Sequence, residues 1–205
     1  MISNIVVLNL KNNYINLAII SLLNEIAADF ENINFHFHYN LNKVDNADII
    51  FTEMVAGEFF LCHEALNKKI NKTTIFIFHS QKNNISKSAL PNCINSSIFL
   101  HNQDDVISIK NKILKNIRLS KDKNMSEPKI DKIHKCLNCK FKTATSFQLK
   151  ILYATSMGFD TTDISEELGI NYKTIFSHKK NIMNKFHITN KHEFNEFANL
   201  LKKKK

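Results

Sequence analysis

No apolar run in this sequence approaches the ~20 residues that a membrane-spanning helix needs. Met1 leads into an apolar stretch without a basic leader segment, so the pattern of a secretory signal is missing as well. The expectation is a cytoplasmic protein. Cysteine is scarce, at four in 205 residues. Cys136 and Cys139 stand at CxxC spacing with His134 close by, but a zinc site needs four ligands, usually two such pairs, and Cys62 and Cys93 are isolated elsewhere. In a reducing compartment a lone CxxC does not argue a structural disulfide. The motif reads as ordinary linker, with redox or metal sensing as the alternative. A catalytic set is lacking too. Cys62 and His63 suggest a thiol nucleophile only until one notes that adjacent helix residues point apart. His36 and His38 share one face of a strand-like segment with no further ligand group near them in sequence, as exposed positions of an edge strand would. Neither an enzyme, a metal site nor a cofactor is expected.

What the chain does contain is cationic and uneven. Hydrophobic residues at 43% and charged residues at 23% exclude wholesale disorder. The formal net charge is +9, and nearly all of it lies late in the chain: residues 1–120 hold 11 Lys and Arg against 10 Asp and Glu, residues 121–205 hold 17 against 9. A near-neutral lobe joined to a basic one suggests a polyanion binder attached to something else. Lys202 to Lys205 form a tail whose simplest role is solvation, so the cations inside helical segments carry more weight.

The first 120 residues alternate between strand and helix patterns. Residues 5–8 are a short apolar run, 17–28 have helical spacing, 33–39 alternate, and 49–51 are apolar again. Residues 59–70 then read as helix, 74–78 and 97–100 as strands, and 106–119 as a helix with Val106, Ile109, Ile113 and Ile117 on one side. Repeated β then α with buried-looking strands predicts an α/β domain, a doubly wound parallel sheet, over residues 1–119. Residues 120–142, rich in Lys, Asp and Asn and containing Pro128, read as a linker.

Residues 143–205 predict an all-α domain of four capped helices. Thr145 and Gln148 have capping-box spacing before Phe147, Ile151 and Leu152, and Gly158 ends that helix. Asp160 or Thr161 caps a second helix with Ile164 and Leu168 facing inward; Gly169 supplies a positive φ, and Asn171 caps the third. Asn190 and Glu193 repeat the device before Phe194, Phe197, Ala198 and Leu201. At about 100° per residue, the third helix divides into two unlike faces. Ile175, Ile182 and Phe186 form an apolar stripe, with His178 beside it. Lys173, Phe176, Ser177, Lys180 and Asn184 lie opposite, mixing cations with groups that bond or touch base edges. A short helix, a Gly-centred turn and a basic amphipathic helix make a helix-turn-helix, whose expected ligand is double-stranded DNA.

Residues 143–201 resemble the DNA-binding domain of LuxR-type (FixJ-type) transcriptional regulators. The resemblance runs without gaps through Thr145, Ile151 and Leu152, Gly158, the DIxxxLxI run at 163–170, KTI at 173–175, His178, Asn181 and Ile182, Lys185 and Phe186, and Asn190, Lys191 and Glu193. It implies that the third helix enters the major groove and that the fourth dimerises. On this reading Lys173, Lys179 and Lys185 mostly meet phosphate, Tyr172 at the helix start is a further candidate for phosphate, Phe176, Ser177, Lys180 and Asn184 are candidates for base contact, and Thr174 belongs to the same DNA-binding set. The family usually has a Glu at the position of Gln148, a basic residue near Phe147, a Lys at Phe176 and an apolar residue at Lys179. Phe176 would then touch a thymine methyl rather than bond a guanine.

The first half resembles a response-regulator receiver domain in length, element order and position. Receiver chemistry calls for an acidic pair after the first strand, an Asp ending the third, a Thr or Ser after the fourth and a Lys after the fifth. Those places hold Asn9 and Leu10, Glu53, His79 with Ser80, and His101. Magnesium binding and acyl-phosphate formation need several oxygen ligands and a carboxylate of the right reach, so ordinary aspartyl phosphorylation is not expected. Glu53 marks the degenerate phosphoacceptor position, either as a permanent mimic of the charged acceptor or as a polar strand end. The run SHKKNI at 177–182 with a degenerate receiver is similar to auxiliary LuxR-type regulators of enterobacteria that pair with a more typical partner. Homodimer and heterodimer with another LuxR-type regulator are both left open.

Overall fold

Five short apolar segments assemble into one parallel sheet in the order β2-β1-β3-β4-β5. The structure is a computed structural model that describes residues 2–30, 33–40, 47–67, 73–80, 86–121 and 139–203. The strands are β1 (Ile2–Asn9), β2 (Ile33–His38), β3 (Ile49–Glu53), β4 (Thr74–His79) and β5 (Ile98–His101). Helices α1 (Asn13–Ala28) and α3 (Val106–Lys121) connect or follow them, and α2 is described over Glu64–Asn67. Parallel strands buried on both faces read as continuous apolar runs, and β3 and β4 do so in sequence. On one face Val6, Leu8, Phe51, Phe76 and Leu100 pack with Ile19, Leu23 and Ile26 of α1 and Ile113 of α3. The Phe51 and Phe76 rings stack 4.8 Å apart across neighbouring strands. Residues 36 and 38 are exposed on the edge strand β2, as their alternation predicts.

One expected element is different. Residues 59–70 are not a continuous helix: a 3-10 turn spans Glu58–Phe60, Leu61 is extended, and α2 starts only at Glu64. Gly57, at φ +85°, opens the turn in a left-handed conformation that L side chains resist, which breaks the helical register before it begins. Of the expected linker, residues 122–138 lie outside the described residues, and His134 and Cys136 with them. Cys139 is described, and its Sγ accepts the Asn92 N–H at 3.4 Å.

Four helices make up the rest: α4 (Ser146–Ser156), α5 (Thr161–Leu168), α6 (Tyr172–Phe186) and α7 (Lys191–Lys203). The chain divides into two compact units. One comprises Met1–Met54 and His63–Cys139; the other comprises Lys140–Lys205 together with Val55–Cys62. The core of the helical unit includes Ile151, Leu152, Ile164, Ile175, Ile182, Phe186, Phe194 and Phe197, all buried. Among the described residues no helix is long and apolar enough to cross a membrane.

Candidate nucleic-acid interface

The geometry of α6 is set by its ends and by its packed face. Asp160 caps α5 in a full capping box with Asp163, and bonds from the Asp163 and Thr162 backbone amides hold its carboxyl below the ordinary aspartate value. Gly169 closes α5 at φ 63°, and Asn171 Oδ1 accepts the Lys173 N–H at 2.9 Å to start α6. Ile175, Ile182 and Phe186 are fully buried. Each gains ~1.5–3 kcal/mol from burial, more than an exposed polar bond returns, so the packed face decides how the helix is rotated. Phe186 meets Phe197 of α7 at 4.8 Å, and His178 sits edge-on to Phe147 of α4 at 4.7 Å.

That rotation turns Tyr172, Lys173, Thr174, Phe176, Ser177, Lys180 and Asn184 outward. Phe176 is 55% exposed, so its ring is open to a ligand on the outward face. The exposed Ser177 hydroxyl donates to the Lys173 carbonyl at 2.9 Å. Two of the expected cations are placed differently from the rest. Lys179 is half-buried with its Nζ 3.0 Å from Thr161 Oγ1, and burial pulls its ammonium below the ordinary lysine value despite Asp160 nearby. Lys185 is half-buried, and its carbonyl accepts Lys142 Nζ at 2.6 Å.

Lys142 is the residue that sequence reasoning missed. It precedes the first helix of the unit in a stretch without periodicity, so no local signal marks it. Desolvation and then the Lys185 charge hold its ammonium below the usual lysine range. Beyond α6, His187 takes the left-handed C-cap position at φ 54° and Ile188 N–H bonds the Met183 carbonyl at 2.8 Å. Glu193 does not close a capping box on Asn190. Its carboxylate reaches one residue further, to Thr189 N–H and Oγ1 at 2.7 and 2.8 Å, while Asn190 Oδ1 accepts the Glu193 amide.

The receiver-like positions line one edge of the sheet, because all five strands are parallel. Asn9 Nδ2 donates to Thr52 Oγ1 at 3.1 Å, Leu10 is buried in the core, and Glu53 Oε2 accepts the Lys11 N–H at 3.4 Å. The His79 and His101 rings meet nearly perpendicular, 5.3 Å between centroids. Among the described residues no three His, Cys, Asp or Glu side chains gather closely enough to hold a metal ion.

Comparison with known proteins agrees with this geometry. Residues 145–198 match the family model described as bacterial regulatory proteins, luxR family. The chain is 39% identical over 64 residues to the oxygen regulatory protein NreC of Staphylococcus epidermidis, a match covering 31% of this chain and 28% of that protein. Among solved structures, RcsB from Salmonella enterica serovar Typhimurium bound to promoter P1flhDC aligns over 97% of this chain and 98% of its own, with TM-score 0.56 and 15% identity. A structure of the response regulator RcsB in complex with DNA aligns over 96% of this chain and 98% of its own, with TM-score 0.51 and 17% identity. At those identities the likeness establishes the fold, a parallel five-stranded sheet followed by a helical region. Residues 145–198 of this chain form a helix-turn-helix domain of the luxR family of bacterial regulatory proteins.

Proposed function

We propose that this chain is a transcriptional regulator that binds specific duplex DNA by placing α6 in the major groove. The observation that carries the reading is the division of α6 into a fully buried apolar side and an outward side bearing Lys173, Phe176, Lys180 and Asn184. Lys180, Asn184, Ser177 and Phe176 contact bases; Lys173, Lys185, Tyr172 and Thr174 contact the backbone. Lys179 reaches phosphate only by giving up Thr161. The RcsB structures that share this fold are complexes with DNA, in keeping with a DNA ligand. Selection from a random duplex pool by the full-length protein, with binding followed against salt, tests the reading. Recovery of an inverted repeat with a steep salt slope is the expected result. Nonspecific binding alone would replace it with action through a partner.

A second reading, in which the chain works chiefly by pairing with another LuxR-type regulator, has one observation in its favour. Leu149 and Tyr153 are 47% and 51% exposed along α4 and line a groove of about 320 Å³ with Leu201 and Lys202 of α7. A second chain, identical or related, fits such a face. Sedimentation of the protein alone and mixed with a candidate regulator separates the two cases.

The sheet edge supports regulation without aspartyl phosphorylation, since the acceptor place holds Glu53 and the metal-binding place holds Asn9 and Leu10. Incubation with acetyl phosphate and Mg²⁺ should add no mass. A gain of one phosphate that Glu53→Gln removes would overturn this part.

A further inference from the structure

The segment Val55–Cys62 follows β3 directly, yet it clusters with the helical unit. Val55, Ala56, Phe59 and Phe60 are all buried. The Gly57 backbone lies so close to the helices that a Cβ built on it would stand 2.9 Å from the Phe197 ring and 3.1 Å from the Ile188 side chain. The Phe60 ring lies 4.7 Å from the ring of His187, the C-cap of α6. Phe60 O accepts the Lys142 N–H at 2.6 Å, and Lys142 Nζ stands 4.1 Å over the Phe60 ring while donating to Lys185 O. A helix leaves its last four carbonyls without internal partners, and here one of them is bonded by a lysine that Phe60 holds in place.

We infer that residues 55–61 are a working part of the DNA-reading unit, with Phe60 and Lys142 as positioning residues that fix the C-terminal end of α6. The consequence for DNA rests on the function proposed above; the bracing of α6 does not. The helix is anchored at its start by Asn171 and at its end by this strap, so the presentation of Lys180 and Asn184 depends on residues far away in sequence. Residues 140–205 alone are therefore an incomplete reader. Only Met54 separates the strap from Glu53, which ties the recognition helix by a single residue to the strand end where a receiver would carry its phosphate.

The test uses the full chain and two readouts. Hydrogen exchange at the His187 and Ile188 amides should quicken about ten-fold in Phe60→Ala and in Lys142→Met. Affinity for the selected duplex should fall about ten-fold in both, while binding to random DNA stays the same. Phe60→Tyr and Lys142→Arg, which keep the ring and the donor, should restore both values. Lys142→Met leaves the buried ring in place, so it decides the matter if Phe60→Ala does not fold. Unchanged exchange at Ile188 in Lys142→Met would overturn the brace whatever the DNA results. Faster exchange with unchanged specific affinity would overturn the positioning role. A wild-type protein that selects no duplex would sink the proposed function, and the exchange comparison would still decide whether the strap holds α6.

Discussion

Two polar surfaces of this molecule are built on apolar supports, and they have opposite fates. At the edge of the sheet the polar groups close on one another: Asn9 on Thr52, Glu53 on the Lys11 amide, Lys112 on Asp104 at 2.6 Å. On α6 Lys173, Ser177, Lys180 and Asn184 stay exposed on a helix whose Ile175, Ile182 and Phe186 are fully buried. A site whose groups are already satisfied has little to offer a ligand, whereas exposed groups on a fixed scaffold are available to one. The sheet edge thus holds groups that bond one another, and the helical unit presents groups that face outward.

The largest effect that sharpens this contrast comes from the scaffold of the reading face. Phe186→Ala removes a fully buried ring packed on Phe197, and should destabilise the helical unit by ~3–5 kcal/mol in thermal or urea unfolding. Asn9→Ala at the sheet edge removes one amide-to-hydroxyl bond and should cost no more than ~1.5 kcal/mol. A larger loss at Asn9 would mean that the edge is a structural network and not merely a closed remnant.

Next in size is the reading face itself. Lys180→Ala should cost ~1–3 kcal/mol at the selected site and far less on random duplex, whereas Lys173→Ala should weaken both about equally and reduce the salt slope by ~1. Equal losses for Lys180→Ala on both substrates would demote it to a backbone contact. Glu53→Gln should change neither binding curve, which is the control from the other surface.

The α6 cap is smaller again. Asn171→Ala loses the acceptor of the Lys173 amide, and a lost N-cap is worth ~0.5–2 kcal/mol. Circular dichroism melts should register it. DNA affinity should follow only as far as the helix start frays.

These features differ in how far they could be read from the residues. The caps at Thr145 and Asn171, and that of α5 to within the pair Asp160 and Thr161, were legible because each is a local pattern in which a side chain bonds an amide two or three positions on; Gly169 was legible as a residue that takes a positive φ at the turn. The faces of α6 were legible for the same reason, since periodicity alone fixes which residues share a side. What stayed hidden depends on contacts across long stretches of chain. Nothing near Phe60 announces that its carbonyl will bond Lys142, and nothing near Lys142 announces that its ammonium will bond Lys185, 43 positions on. The apolar spacing of residues 59–70 misled because Phe59 and Phe60 are buried in a tight turn after Gly57, not along a helix. The residue pattern places Lys179 near the edge of the packed stripe with its ammonium directed to phosphate; in the structure that ammonium lies on Thr161.

The smallest effect is a dependence on pH, and it concerns the end of α6 instead of its face. Partial desolvation, and then the neighbouring Lys142 charge, hold the imidazole of the exposed His187 below its ordinary value. In the unfolded chain a histidine takes up its proton near pH ~6.5. The folded state resists that proton, so the contribution is fully present above ~6.5 and is lost as pH falls through the lower folded value. The carboxyls of Asp104 and Asp160 are also lowered, Asp104 chiefly by Lys112, but from an ordinary value of 3.8, so their contributions fade in a more acidic range. Melts at pH ~7.5 and ~5 therefore isolate the histidine part from those carboxyls. Wild type should lose stability over that interval. His187→Asn, which tolerates the left-handed C-cap and carries no proton, should show a shallower slope. The same slope in both proteins would assign the titration to another group and remove His187 from the account of how α6 ends.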